Sequence, residues 1–265
     1  MDIESISSEN LNKELAYLLG VYLTDGSISV RMEPTPGATF QLQVIDRDFA
    51  EKTLECLKKI LPECKAHVNL YIAKPCGFTK KYTDKYCVGV GFTEWKDFFF
   101  TQTGHKSHIP SIIWDCPLPI KKWFIAGIMD GDGWIAEAII GRKNPRYNIG
   151  IGKVEDGWIW EFKAFIEQIG VKTNKPEIIP AGYRQHTVPF VRMKFNTRSF
   201  INCGLFFTIE RKQKRLQRAQ HLLSTIIKER STTRCYGPER VKVESGPNGD
   251  IRKSAEMTDS SKSIG

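Results

Sequence analysis

The chain has no apolar run approaching the roughly 18–20 residues of a membrane span, although 41% of its 265 residues are hydrophobic. That excludes a transmembrane helix and leaves ample material for a core. It also has no C-x-x-C pair. Seven cysteines, at positions 56, 64, 76, 87, 116, 203 and 235, are odd in number and scattered. Such scatter argues against a zinc site or a disulfide framework and fits a reducing, intracellular setting, with the compartment left open. The opening "MDIESISSEN" is polar and acidic, so no signal peptide is expected. "GVGF" and "GIGK" lack the lysine and spacing of a phosphate loop. His105 and His108 have no third ligand at a useful spacing. "DGDGWI" puts Trp134 and Ile135 where a calcium loop needs an oxygen ligand and a glycine. Acids are the minority charge, 30 against 39 Lys and Arg, for a net +9. This excess points to a polyanionic partner, most often nucleic acid.

The excess sits in the body of the chain. From Ser231 onward the sequence is Ser-, Gly- and charge-rich, with six basic and five acidic residues and no apolar period. Residues 231–265 therefore read as a flexible polar tail.

What the body does contain is a repeat. "LLGVYLTDGSI" (18–28) matches "IAGIMDGDGWI" (125–135) position for position: Gly20 with Gly127, Asp25 with Asp132, Gly26 with Gly133. The same order of patterns follows each copy. "SISVR" and "TFQLQVI" alternate as a hairpin, "FAEKTLECLKKIL" has helical spacing, "KAHVNLYIA" and "KYCVGVGF" are two more strands, and "TEWKDFFF" closes as a helix. In the second half the hairpin is "WIAEAII" with "RYNIGIG", and the helix "WIWEFKAFIEQIG" is stopped by Gly170. "VKTNKPEI" and "TVPFVRMKF" follow as strands, then "TRSFINCGLF" and the basic helix from Ile209. The fold class expected is α+β: two pseudo-symmetric αββαββα halves, each an antiparallel sheet covered by helices on one face and packed through the two motif helices. "CPLPI", with Pro117 and Pro119, reads as the linker. The domains are then 1–116, 117–230 and the tail 231–265.

Alternation assigns the sheet faces. Phe40, Leu42 and Val44 oppose Thr39, Gln41 and Gln43. Ala66, Val68, Leu70 and Ile72 oppose Lys65, His67, Asn69 and Tyr71. Tyr147, Ile149 and Ile151 oppose Arg146, Asn148 and Gly150. One face is apolar and goes inward. The other carries side chains that hydrogen-bond to base edges or phosphates. Its candidate DNA contacts in the first half are Ser27, Ser29, Arg31, Gln41, Gln43, Lys65, His67, Asn69 and Tyr71. In the second they are Arg142, Lys143, Arg146, Asn148, Arg184, His186, Arg192 and Lys194.

A glycine inside a helix costs about 1 kcal/mol relative to alanine. Its recurrence at Gly20 and Gly127 implies close helix–helix contact. Packing on those faces would bring Asp25 and Asp132 side by side at two helix C-termini, where they repel each other and the helix dipoles. Divalent cations would offset that repulsion.

At these residues the chain resembles the LAGLIDADG homing endonucleases in their single-chain, two-motif form, over roughly residues 11–228. The resemblance implies a saddle that straddles double-stranded DNA as a monomer and cuts both strands of a long pseudo-palindromic site across the minor groove, leaving short 3′ overhangs. It implies Mg²⁺ (or Mn²⁺), with Asp25 and Asp132 as essential acids and the carbonyls of Thr24 and Gly131 as further ligands. Gln43 fits the polar position late in the second strand, whose second-half counterpart falls on Gly152 or Lys153. Lys106 and Lys212 fit the basic positions. Asp130 and its counterpart Leu23 occupy a structural helix-end position. The alternative is a binding protein of the same fold, an intron-RNA maturase or a DNA-binding regulator.

Overall fold

The computed structural model describes residues 3–73, 83–138, 146–154, 157–182 and 188–235, the last helix without side chains beyond residue 226. The first half runs α1 (Lys13–Leu23), β1 (Ser27–Arg31), β2 (Gly37–Val44), α2 (Arg47–Ile60), β3 (Asn69–Tyr71), β4 (Lys85–Gly91) and α3 (Lys96–Thr103), followed by a short α4 (Ser111–Trp114). The second runs α5 (Leu118–Gly131), β5 (Gly133–Ala138), β6 (Arg146–Val154), α6 (Trp158–Gln168), β7 (Glu177–Ile179), β8 (Phe190–Phe195), α7 (Thr197–Asn202) and α8 (Glu210–Cys235). The sheets have the same strand order, β1-β2-β4-β3 and β5-β6-β8-β7, with every pairing antiparallel. The chain is thus two pseudo-symmetric αββαββα halves packed through α1 and α5.

After polar or exposed first turns, those two helices become apolar on every side, which suits a segment with no solvent face. All nine residues from Leu15 to Leu23 are buried, as are Phe124 to Asp130. Asn12 starts α1 by accepting the Leu15 N–H at 2.8 Å. Pro119 sits in the first turn of α5, where its missing N–H costs nothing. The two motif glycines let the backbones touch. A Cβ on Gly20 would overlap the Phe124 carbonyl oxygen, and one on Gly127 would overlap that of Tyr17.

The inward faces of the sheets are as the alternation predicts: Phe40, Leu42, Val44, Ile149 and Ile151 are all buried. The edge strands are not. β3 is three residues long, and Leu70 and Ile72 are 52% and 66% exposed. Helix α2 packs on β2 and β4, and the edge strand lies beyond that cover. Lys65 and His67 precede β3 and belong to no strand. β7 is likewise reduced to Glu177–Ile179, with an isolated bridge from Thr173 to Phe195. Of the stretch 116–120, read as a linker, Pro117 is the N-cap of α5 and 118–120 its first turn. Helix α8 takes in residues 231–235, and residues 236–265 lie outside the described residues, as do Arg142, Lys143, Arg184 and His186. Among the described residues no helix is long and apolar enough to cross a membrane.

In an ordinary helix interior, Gly→Ala gains about 1 kcal/mol. Here Gly127→Ala should instead cost about 1–3 kcal/mol, because the new methyl meets backbone that cannot turn aside. Urea unfolding checks this, and an unchanged or raised stability would mean that α1 and α5 do not pack through these glycines.

Candidate active site between two helix tips

The two motif helices end side by side. Helix α1 stops when Thr24 leaves helical geometry, with its N–H and that of Gly26 both returning to the Val21 carbonyl at 3.2 and 2.8 Å. The Thr24 hydroxyl turns back onto the carbonyls of Gly20 and Val21. In α5 the Asp132 N–H closes the last turn on Ile128. A Cβ on Gly131 would strike the Thr24 side chain and lie 3.3 Å from Asp25 Oδ2. The glycine at this position therefore lets one acidic tip nest against the other.

Asp25 counts as exposed, yet partial burial of its carboxyl raises its pKa, against the pull of Lys212, Lys106 and Lys153 in that order. Asp132 is more enclosed and titrates at about 6. Burial is the main cause, Lys153 opposes it, and the charge of Asp25 adds to it. Asp132 Oδ2 is buried without a hydrogen-bond partner among the described residues. Lys153 Nζ is 3.4 Å away, within ion-pair range.

Three lysines surround the pair, each donating to carbonyls at the helix tips. Lys106 Nζ donates to Thr24 O at 3.0 Å and Gly26 O at 2.5 Å. Lys212 Nζ donates to Met129 O, Asp130 O and Gly133 O at 2.9, 2.6 and 2.7 Å. Gly26 and Gly133 are the corresponding residues of the two motifs, so these lysines do equivalent work. Cations suit helix C-termini, where carbonyls lack partners. Lys153, from β6, crosses to the other half and donates to Leu23 O at 2.7 Å. An aromatic ring backs each ammonium: Tyr22 behind Lys106, Trp158 behind Lys153 and Phe207 behind Lys212, at 5.1, 4.8 and 5.9 Å. Lys212 is only 5% exposed, and burial lowers its pKa to about 8. Lys106 is delivered by an unusual backbone, with Gly104, His105 and Lys106 at φ of 50°, 54° and 75°. Left-handed non-glycine residues in sequence are costly and collect where a side chain must be aimed.

Asp130 does separate work. It is 2% exposed and accepts from the Tyr17 hydroxyl at 2.9 Å, from the Thr208 N–H and hydroxyl, and from the Ile209 N–H. Burial raises its pKa to about 6 despite these donors. It fixes the turn that leads into α8 and so sets where Lys212 enters. Leu23, its counterpart, is fully buried.

The site therefore gathers Asp25, Asp132, Thr24, Gly131, Lys106 and Lys212. Gln43 is exposed on β2 opposite Cys87, and its side chain makes no hydrogen bond among the described residues. Hairpin register makes Gly152 its counterpart: Ser27 pairs with Gln41, and Trp134 with Gly150. Lys153 is one residue on and reaches the acids. Sequence reasoning left Gly152 and Lys153 as alternatives at that position: the register aligns Gly152 with Gln43, while Lys153 is the one whose ammonium comes within 3.4 Å of Asp132 Oδ2. On the outward sheet face, Ser27, Ser29, Arg31, Gln41, Asn69, Tyr71, Arg146 and Asn148 are exposed, while Arg192 and Lys194 are half-buried. Arg192 pairs with Glu177 at 2.6 Å, and Arg31 donates to Thr35 O. Lys85, opposite Tyr71, joins this face, which Gly89 and Gly91 leave open.

No family model and no curated protein matches the chain in sequence. Solved structures do match in shape. One is that of the homing endonuclease I-WcaI bound to its DNA recognition sequence, with a TM-score of 0.54 and 13% identity, covering 78% of this chain and 87% of that one. Another is that of I-DmoI in complex with DNA and Mn, with a TM-score of 0.46 and 14% identity, covering 72% and 93%. At 13% identity the likeness to I-WcaI establishes a shared fold.

A carboxyl whose pKa rises on folding binds its proton more tightly in the native state, so stability falls as pH climbs from the unfolded value to the folded one. For Asp132 that window runs from 3.8 to about 6. In chelator, stability should drop across it by on the order of 1–2 kcal/mol for this group. Asp132→Asn should shrink the drop, leaving the shares due to Asp130 and Asp25. Urea unfolding at pH 4.5 and 7 measures it, and an undiminished drop would remove Asp132 as its source.

Proposed function

We propose that this chain is a LAGLIDADG homing endonuclease, a divalent-metal-dependent enzyme that makes a site-specific double-strand break across the minor groove of a long pseudo-palindromic DNA target. The observation that carries the reading is the pair Asp25 and Asp132, one from each half, held together on abutting helix tips. A fold with two related halves suits a substrate with two related strands, and one chain supplies both halves, so it works as a monomer.

The donors fit a hard cation. Two carboxylates lie together, and one buried oxygen, Asp132 Oδ2, has no hydrogen-bond partner among the described residues. The described residues hold no cluster of three or more Asp, Glu, His or Cys. Mg²⁺ needs no such cluster, since it keeps several waters and takes phosphate oxygens. Asp25 and Asp132, with the carbonyls of Thr24 and Gly131, would hold Mg²⁺ or Mn²⁺, which when bound offsets their charge and acts as a Lewis acid on the phosphate. The Thr24 carbonyl already accepts from Lys106, so it is the weakest member of that set.

The chain's own residues do the rest. Lys106, Lys153 and Lys212 place positive charge around the phosphate and favour charge that grows on its oxygens. All three N–H groups of Lys212 are committed to carbonyls, so it serves as a fixed charge rather than a travelling acid. Gln43 stands exposed on the sheet face, available to order water or a phosphate oxygen. The outward faces of both sheets supply the contacts to bases and backbone that select the site. A protein that only bound RNA or DNA would gain nothing from two carboxylates next to a polyanion.

Asp25→Asn and Asp132→Asn should each abolish double-strand cleavage of a one-site supercoiled plasmid in Mg²⁺, while site affinity holds or improves as a charge near phosphate is lost. Losing a partner one shell out from a metal costs about 10–100-fold, and losing a ligand must exceed that. Asp130→Asn should keep measurable cleavage, because its carboxylate faces Tyr17 and Thr208 rather than the tips. Linear product from the Asp25→Asn, Asp132→Asn double variant would end the catalytic assignment.

Binding, measured in Ca²⁺, should weaken steeply with salt as phosphate contacts release counterions. A flat dependence of log K on log salt would remove the nucleic-acid reading of the sheet faces.

A further inference from the structure

Each of the two equivalent lysines rides on a segment that the opposite half holds. Lys212 lies in the first turn of α8. The backbone N–H of Glu210, at the start of that turn, donates to Asp48 Oδ2. The Arg211 guanidinium forks onto both oxygens of Asp46, at 2.5 and 2.7 Å. Asp46 is the N-cap of α2 and Asp48 lies in its first turn, both in the N-terminal half. The arrangement recurs in mirror order. Lys106 lies in the loop after α3, and three residues on the Ile109 N–H donates to Glu161 Oε2 at 2.8 Å. Glu161 is in the first turn of α6, the counterpart of α2 in the C-terminal half. The approach is close there too, since a Cβ on Gly157 would stand 3.3 Å from the Ser107 carbonyl oxygen.

Acids in a helix's first turn ordinarily serve that helix's own dipole. Asp46 makes no side-chain capping bond within α2; both of its oxygens go to the other half. The ion pair is partly solvated, with Arg211 55% and Asp46 18% exposed, so its worth to stability is small. Its geometry is nonetheless specific, because a bidentate fork fixes direction as well as distance. Such a contact aligns more than it stabilises. The helix pair alone sets the two tips against each other, but the lysines arrive from later elements, and their placement over the tips needs a second constraint.

We infer that Asp46, Asp48 and Glu161 are positioning residues forming a reciprocal cross-clamp, in which each half fixes the lysine of the other, so that neither strand's chemistry is complete until the halves are docked. The catalytic consequence rests on the nuclease reading above; the clamp itself does not.

The test has two arms on the full chain. The first is competitive acetylation of lysines read by mass spectrometry without DNA, at temperatures where circular dichroism shows every variant folded. Asp46→Ser with Asp48→Ala should raise the labelling rate of Lys212 by about 5-fold or more through local opening and leave Lys106 unchanged. Glu161→Ala should do the reverse, and Glu161→Gln, which keeps an acceptor for the Ile109 N–H, should behave as wild type. The second arm is plasmid cleavage. Each clamp variant should slow one strand by about 10–100-fold, accumulate nicked circles with opposite strands cut in the two cases, and leave site affinity unchanged. Unchanged labelling, or both lysines released together by either variant, would overturn the clamp. Selective labelling with equal slowing of both strands would overturn its positioning role. If wild type cuts no DNA, the nuclease reading fails while the labelling arm still decides the clamp.

Discussion

Two helix backbones in contact at Gly20 and Gly127 are the constraint on which the rest of the molecule depends. Any side chain at either position would drive α1 and α5 apart. Because they touch, their last turns end at one point, and Asp25 and Asp132 share a space that neither half could build alone. The sheets follow from the same constraint. Each begins one or two residues past its acid, so β1 and β5 leave the junction with their polar faces outward. The energetic cost of glycine in a helix is met by contact rather than by propensity, which is why the same glycine recurs in both repeats.

The second organising feature is a charge conflict. Two helix C-termini and two carboxylates converge, all of them negative in effect. The protein answers with three lysines, and it spends most of their donors on the helix-end carbonyls rather than on the acids. Asp132 is left with its carboxyl pKa pushed up to about 6 and a buried oxygen with no hydrogen-bond partner among the described residues. That unmet acceptor is what a hard cation would satisfy. A wholly satisfied junction would have had no chemistry to offer.

Sequence made the architecture legible because its signals are local. The motif repeat places both tips, and period-two alternation places β1, β2, β4, β5, β6 and β8. Lys106, Lys212 and the structural position of Asp130 were also accessible, through the resemblance and the repeat. The short edges were not. Leu70 and Ile72 look like inward residues in a strand pattern, but burial depends on how far α2 extends over the sheet. Pro117 and Pro119 look like a linker, yet proline also opens helices, and the apolar run that follows decides between the two. Lys153 needed its contacts with Asp132 and with the Leu23 carbonyl of the other half, which no strand pattern shows. The pairs Arg211–Asp46 and Ile109–Glu161 join residues far apart in sequence with no motif around either, so only the folded chain shows them. Legibility ended where function depends on contacts between halves rather than on patterns within one.

The most direct test of the account is to incubate wild-type protein with a randomised duplex library in Mg²⁺ and sequence every new end. Two acids on one pair of tips predict paired breaks, one on each strand, separated by a short fixed 3′ stagger and centred on a single family of pseudo-palindromic sites. Ends that are absent, unpaired, or scattered without a common stagger, from protein that still binds DNA, would contradict the claim that Asp25 and Asp132 form one cutting centre.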